Sequence, residues 1–255
     1  MKSLQINLWS LAVVLLFSTI AGSVNAGEVN AAVAANFTAP AQQIAALFEK
    51  ETGNTVKLSF GSTGKFYSQI KEGAPFDVLL AADEKTPKKM EQEGLAVANT
   101  SFVYAMGKLV LWSAKAGYVD DKGTVLNSDS YSKLSYADPK LAPYGLAAQE
   151  ALQKLNLWDK VQSKLVTGDS ITQAYQFAAT GNAELAFIAL SQITRDGKVS
   201  EGSCWKVPAE LYSPIKQGAI QLSAAKDKTA SQAFLNFLKS EKAVVIIRSF
   251  GYELP

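Results

Sequence analysis

The chain has 255 residues, 48% hydrophobic and 19% charged, with a formal net charge of +2, one cysteine and no histidine. Without histidine there is no Ser-His-Asp or Cys-His catalysis and no histidine-ligated metal. The lone Cys204 allows neither an internal disulfide nor a CxxC site. Near-neutral charge gives no footprint for nucleic acid or an anionic membrane, and the length suits one large domain or two small ones.

Residues 1–26 read as a cleaved export signal. Lys2 is their only charge, residues 8–20 are an apolar stretch, and Val24-Asn25-Ala26 is a small-residue cleavage site. The apolar stretch is too short for the roughly 18–20 residues that span a bilayer, and no cysteine lies nearby to carry a lipid anchor. The expected product is a periplasmic protein starting after Ala26. Its lone Cys204, with no histidine to activate it, reads as an inert thiol.

The rest alternates strand-like and helix-like segments. Residues 29–35 are a short apolar run. A helix with Ile44, Leu47 and Phe48 on one face follows, stopped by Gly53. Residues 55–60 alternate as a strand, Gly61-Ser62-Thr63-Gly64 is a loop, and 65–72 read as a helix. After a buried strand at 76–82, Thr86-Pro87 has the pattern of an N-cap and first helical position. Further on, strands are expected at 108–113, 133–137, 184–190 and 218–223. Helices are expected at 145–157 and 171–180, and two amphipathic ones near the C-terminus carry Phe234, Phe237 and Leu238, then Val244, Val245 and Ile247. This order predicts an α/β protein with parallel strands and right-handed crossovers. There is no low-complexity linker, so two small domains would be joined by crossing strands.

The loop at 61–65 is not a P-loop, because Ser59 and Phe66 stand where that motif needs glycine and a hydroxyl residue. Four strand-to-helix junctions nevertheless carry small or polar donors: Asn36-Phe37-Thr38, Ser62-Thr63-Gly64, Pro143-Tyr144-Gly145 and Asp169-Ser170-Ile171. Such junctions lie at the carboxyl ends of strands, where ligands bind, and helix N-termini offer unpaired N–H groups and a positive field. Converging, they would form an anion cage with no lysine or arginine in it. The carboxylate pairs Asp83-Glu84 and Asp120-Asp121 are adjacent in sequence and read as a helix start and a solvated turn, and Asp138-Pro139 as a turn. An exported acid-catalysed hydrolase would need two separated carboxylates in one cleft.

The segments AVAANFTAPAQQIAALFEKETG, SFGSTGKFYSQIKEGAPFDVLLAADEKTPKKMEQEGL and YADPKLAPYGLAAQEALQKLNLWDKV, with the C-terminal FLKSEKAVVIIRSFGYELP, resemble the periplasmic molybdate-binding proteins of ABC importers. The resemblance implies a two-lobed periplasmic binding-protein fold of type II. Each lobe would be a small, mostly parallel sheet flanked by helices, with lobe I formed by 27–107 and 219–255 and lobe II by 108–218. It implies no enzyme activity and no cofactor. The ligand would be molybdate or tungstate, held as an oxyanion without direct metal ligands, and the partners an inner-membrane permease and its ATPase. A monomer is expected.

Carried over by position, the resemblance implies contacts from Asn36 (an amide or hydroxyl donor position), Thr63 with Ser62 beside it, Tyr144 through its N–H and Ile171 through its N–H. Some members add a tyrosine hydroxyl from the strand at 184–190, where this chain has Ala189; fewer donors, or the Asn36 amide or Tyr144 region, would then compensate. The alternative ligands are other tetrahedral oxyanions such as sulfate or chromate.

Overall fold

The computed structural model describes residues 26–255; the expected export signal thus lies almost wholly outside the described residues. In chain order the elements are β1 (Glu28–Ala34), α1 (Thr38–Thr52), β2 (Thr55–Gly61), α2 (Thr63–Lys71), β3 (Val78–Leu80), α3 (Lys85–Gln92) and β4 (Phe102–Gly107). There follow β5 (Leu109–Ser113), β6 (Leu134–Ala137), α4 (Pro143–Lys154), α5 (Trp158–Val161), β7 (Leu165–Gly168), α6 (Ile171–Ala179), β8 (Leu185–Ala189), the short β9 (Thr194–Arg195) and β10 (Lys198–Val199), and β11 (Ser203–Lys206). The chain ends with β12 (Ile215–Gln221), α7 (Lys228–Phe237) and α8 (Glu241–Ser249).

These elements form two lobes, each built on a five-stranded sheet. The first sheet has the order β2-β1-β3-β12-β4 and the second β11-β5-β8-β6-β7. In the first, β1 pairs in parallel with β2 and β3, whereas β12 pairs antiparallel with β3 and β4. In the second, β6 is parallel to β7 and β8, and β5 is antiparallel to β8 and β11. The parallel half of each sheet is the βαβ part; the antiparallel strands β4, β5 and β12 stand where the chain passes between lobes. Gly107 ends β4 in the first sheet and Leu109 opens β5 in the second. The return strand, β12, opens at Ile215, ahead of the return to the first lobe expected at 219.

Both faces of each sheet are covered, so the central strands are apolar on both sides. Along β1, Val29, Ala31 and Val33 join the core beneath α1, α7 and α8, which includes Ile44, Phe48, Phe234 and Ile247. Ala32 points the other way, into a core with Phe66, Ile70 and Met90 from α2 and α3. In the second lobe Leu109, Leu111 and Phe187 pack beneath α4 with Ala147, Ala151 and Leu152. Val110, Trp112 and Ile188 face the opposite core, with Ala178 of α6. The alternation follows from the two-residue period of a strand.

Local chemistry explains where expectation and structure differ. The helix expected to open at Thr86-Pro87 begins earlier, at Lys85, because the Asp83 carboxylate accepts both the Thr86 N–H (2.6 Å) and the Thr86 hydroxyl (3.1 Å). Asp83 is therefore the capping group. Glu84, its neighbour, pairs with Lys88 and Lys216, and Asp120 closes a turn on Thr124. Trp158 meets Tyr136 edge-on. The Cys204 thiol is half-buried, and burial raises its pKa.

Candidate functional site

All four junctions picked out by their donors meet in one place. Asn36, Ser62, Thr63, Tyr144 and Ile171 line a single small cavity, together with Ala35, Gly61, Ala82, Ala142 and Pro143. Asn36, Ser62 and Thr63 come from the carboxyl ends of β1 and β2, Tyr144 and Ile171 from the segments after β6 and β7. The cavity thus lies between the lobes, at the strand ends where parallel α/β sheets collect ligands.

Each junction presents a donor for a local reason. Tyr144 is the second residue of α4, after Pro143, and the first backbone bond of that turn runs from the Gly145 N–H to Ala142. The Tyr144 N–H therefore has no partner within its helix. Ile171 is the first residue of α6; Ser170 caps it by accepting from the Gln173 N–H at 3.3 Å. Gln192 holds Ile171 from behind: its amide donates to the Ile171 carbonyl (3.2 Å) and its carbonyl accepts from the Ala189 N–H (2.9 Å). Ala189 itself is buried at the end of β8, with its N–H spent on Gln192.

The β2–α2 junction supplies two hydroxyls in different states. Ser62 occupies the N-cap position of α2 but makes no capping bond. Its Oγ is the one buried side-chain polar atom among the described residues that lacks a hydrogen-bond partner. A buried hydroxyl left unmet costs about 1–3 kcal/mol. Thr63 Oγ1 accepts from the Ala82 N–H at 2.9 Å, which leaves its proton free to point elsewhere.

Asn36 differs from the expectation of an amide donor. Its side-chain N–H groups are both spent inside the protein, on Gln217 Oε1 and on the Tyr252 hydroxyl, each at 2.8 Å. The physical reason is burial: an amide with 3% of its surface exposed has to find partners in the protein. What Asn36 has to offer the cavity is its main chain, in the 3₁₀ turn Ala35–Phe37. Its carbonyl accepts from the Tyr252 and Ser191 hydroxyls, both at 2.8 Å. Gln192, Gln217, Ser191 and Tyr252 were not anticipated. Gln217 lies in β12, Ser191 and Gln192 in the 3₁₀ turn after β8 and Tyr252 near the chain end, and Ser191, Gln217 and Tyr252 meet Asn36 from at least 155 residues away.

The electrostatics suit an anion that carries no proton. No acidic or basic side chain lines the cavity. Burial pushes the phenols of Tyr104, Tyr144 and Tyr252 up from their ordinary value, so this tyrosine cluster is uncharged at neutral pH. At the rim, Lys65 and Asp169 form a salt bridge across the cleft at 2.6 Å. Among the described residues no group of three or more His, Cys, Asp or Glu side chains is placed to hold a metal ion, and no helix is long and apolar enough to cross a membrane.

Known proteins resemble this chain along its whole described length. The family model of bacterial extracellular solute-binding proteins matches residues 29–253. A molybdate-binding protein ModA from Azotobacter vinelandii is 55% identical over 251 residues, covering 98% of this chain and 100% of the relative. One from Rhodobacter capsulatus is also 55% identical, over 89% of this chain and 88% of its own. The solved structure of the Azotobacter vinelandii periplasmic molybdate-binding protein superposes with a TM-score of 0.87 at 42% identity, covering 89% of this chain and 99% of that one. The sulfate-binding protein SubI of Mycobacterium tuberculosis shares the fold, with a TM-score of 0.71 at 14% identity. Two five-stranded lobes, a cleft at their strand ends and this likeness together make the chain a member of the bacterial extracellular solute-binding proteins, of the ModA kind.

Proposed function

We propose that this protein captures molybdate, and tungstate with it, in the cleft between its lobes and delivers it to an inner-membrane ABC permease and its ATPase. It acts as a monomer in the periplasm after loss of residues 1–26, binds without catalysis and needs no cofactor. The observation that carries this reading is the unpartnered, buried Ser62 hydroxyl in a cavity lined by Asn36, Thr63, Tyr144 and Ile171. The Ser62 hydroxyl has no acceptor inside the protein, the Tyr144 and Ile171 N–H groups open their helices without an intrahelical partner, and Asn36, its amide spent, offers its main chain. A fully ionised oxyanion accepts hydrogen bonds at all four oxygens, and bonds to a charged acceptor are stronger than neutral ones. Hydrogen phosphate would need an acceptor for its proton, and no carboxylate lines the cavity. Ala189 has no hydroxyl to offer, and Ser62 Oγ takes the place of the additional one. Contacts from both lobes favour the closed state, so binding and closure are one equilibrium.

Calorimetry with molybdate, tungstate, sulfate and phosphate in parallel tests the reading. Tight binding of the first two alone is the expected result. Failure to bind either ends the proposal, and preference for sulfate would move the protein to another oxyanion.

A further inference from the structure

Behind the cavity wall lies a buried polar cluster centred on Gln217, a strand residue with no exposed surface. A carboxamide in that position costs free energy unless hydrogen bonds replace its water. Its Oε1 accepts from Asn36 Nδ2 at 2.8 Å and from the Tyr104 hydroxyl at 3.4 Å. Its Nε2 donates to the Tyr144 hydroxyl at 3.5 Å. One side chain therefore links a cavity-lining residue of the first lobe to a cavity-lining residue of the second.

Two features of the backbone build this meeting point. The register of β12 against β4 shifts between Gln217 and Gly218, and a bulge of this kind re-aims a side chain. Gly107, at the end of β4, leaves the space. A Cβ there would lie 2.1 Å from the Tyr144 hydroxyl oxygen and 2.8 Å from Gln217 Nε2. Gly107 is not among the glycines of positive φ, so the space, and not an unusual backbone conformation, is what requires glycine here.

We propose that Gln217 is a positioning residue of the oxyanion site: it locks Asn36 and Tyr144 into one hydrogen-bonded unit that spans the lobes and sets the spacing of their main-chain donors. This role rests on the oxyanion reading above. A carboxamide suits it because it accepts through one atom and donates through another while remaining neutral at every pH. An apolar side chain of similar length fills the same volume but makes neither bond. Tyr252 completes the unit: its hydroxyl accepts from the Asn36 amide and lies within hydrogen-bonding reach of the Tyr144 hydroxyl, so Gln217 and Tyr252 hold the two residues together.

The test is a double-mutant cycle on molybdate affinity, read by calorimetry on protein shown to be folded by its thermal transition. Gln217→Met, which removes the bonds to both Asn36 and Tyr144, is expected to weaken binding about tenfold. Tyr144→Phe is expected to cost a similar factor, and the double variant no more than either alone. Combined with Ser62→Ala, which lies outside the unit, the factors should multiply. Should Gln217→Met fold poorly, Gly107→Ala wedges the same contact and should reproduce the loss. Affinity unchanged in both Gln217→Met and Gly107→Ala, or factors that multiply with Tyr144→Phe, would overturn the positioning role while the wild-type protein still binds molybdate. A wild-type protein that does not bind molybdate overturns the oxyanion reading and this role with it.

Discussion

The Gly64 N–H, in the first lobe, donates to the Leu141 carbonyl, in the second, at 2.9 Å. This main-chain bond crosses the cleft beside Thr63 and Ala142, both of which line the cavity. The approach is close: a Cβ at Gly64 would lie 3.0 Å from the Leu141 oxygen and 3.1 Å from its Cα, so the Leu141 backbone would have to give by a few tenths of an ångström. Gly64 is also the second residue of α2, where alanine is the better helix former by up to about 1 kcal/mol. Gly64→Ala should therefore leave the ligand-free protein as stable as before, or slightly more so, while weakening molybdate binding about tenfold because the lobes meet less closely. Thermal melts and calorimetry on the same preparation check both halves. Equal affinity with a raised melting temperature would mean that the lobes close without this contact.

The Lys65–Asp169 salt bridge is a second tie across the cleft, with side chains 44% and 69% exposed. An ion pair so open to solvent is worth at most about 1 kcal/mol. Removing either partner opens the same tie, but the two residues carry opposite charges near an anion site. Lys65→Gln should therefore weaken molybdate binding more than Asp169→Asn does, with both effects within about fivefold and both shrinking as salt is raised. Titrations at two ionic strengths decide it. An equal loss from both variants would assign the whole effect to the tie and none to the field.

Much of the fold and the site was legible because each was written in local chemistry. The junctions at Asn36, Ser62-Thr63, Tyr144 and Ile171 combine a strand end with a helix start, and a parallel sheet brings such points together. The shared cavity follows from that. Less legible was what each group does there. Asn36 reads as an amide donor, yet its amide bonds Gln217, 181 residues away, and Tyr252, 216 residues away. No local pattern announces partners at that distance. Gln217 sits beside a bulge in a strand whose other buried positions are apolar apart from Gln221, so alternation alone does not say where it points. The start of α3 differs from its expected place for a smaller reason. Thr86-Pro87 looks like a cap, but the carboxylate of Asp83, three residues earlier, is a stronger acceptor within reach. β4, of six residues, and β7 and β11, of four each, are not expected from the sequence; each is defined by its pairing with a strand from elsewhere in the chain.

Ser62 and Thr63 should separate stability from binding. Ser62 Oγ has no partner in the protein, so Ser62→Ala removes an unmet group and should leave ligand-free stability unchanged or raised. Its molybdate affinity should fall by about 1–3 kcal/mol, the range for leaving a charged acceptor unmet. Thr63→Val keeps the shape but takes the acceptor from the Ala82 N–H. That variant should lose stability without ligand, by about 1–3 kcal/mol, and affinity as well. Denaturant unfolding with and without molybdate measures both quantities. A Ser62→Ala protein of full affinity would place the anion away from this hydroxyl.

Dependence on pH offers a last prediction, and its sign follows from the tyrosines. The chain has no histidine, and burial raises the phenols of Tyr104, Tyr144 and Tyr252 above their ordinary value of about 10. A group whose folded pKa is raised adds stability that is fully present below its unfolded pKa, because there both states hold the proton. Above about pH 10 the unfolded chain releases phenolic protons that the folded one keeps, so stability falls as pH rises. Molybdate affinity should accordingly be flat between about pH 6 and 8, where neither the buried phenols nor an imidazole titrates. The melting temperature should hold to about pH 9 and then drop. Tyr144→Phe removes one of the phenols raised by burial and should make that alkaline drop shallower. An affinity that changes severalfold between pH 6 and 8 would require a group at the site that titrates in that range, and the cavity lining contains none.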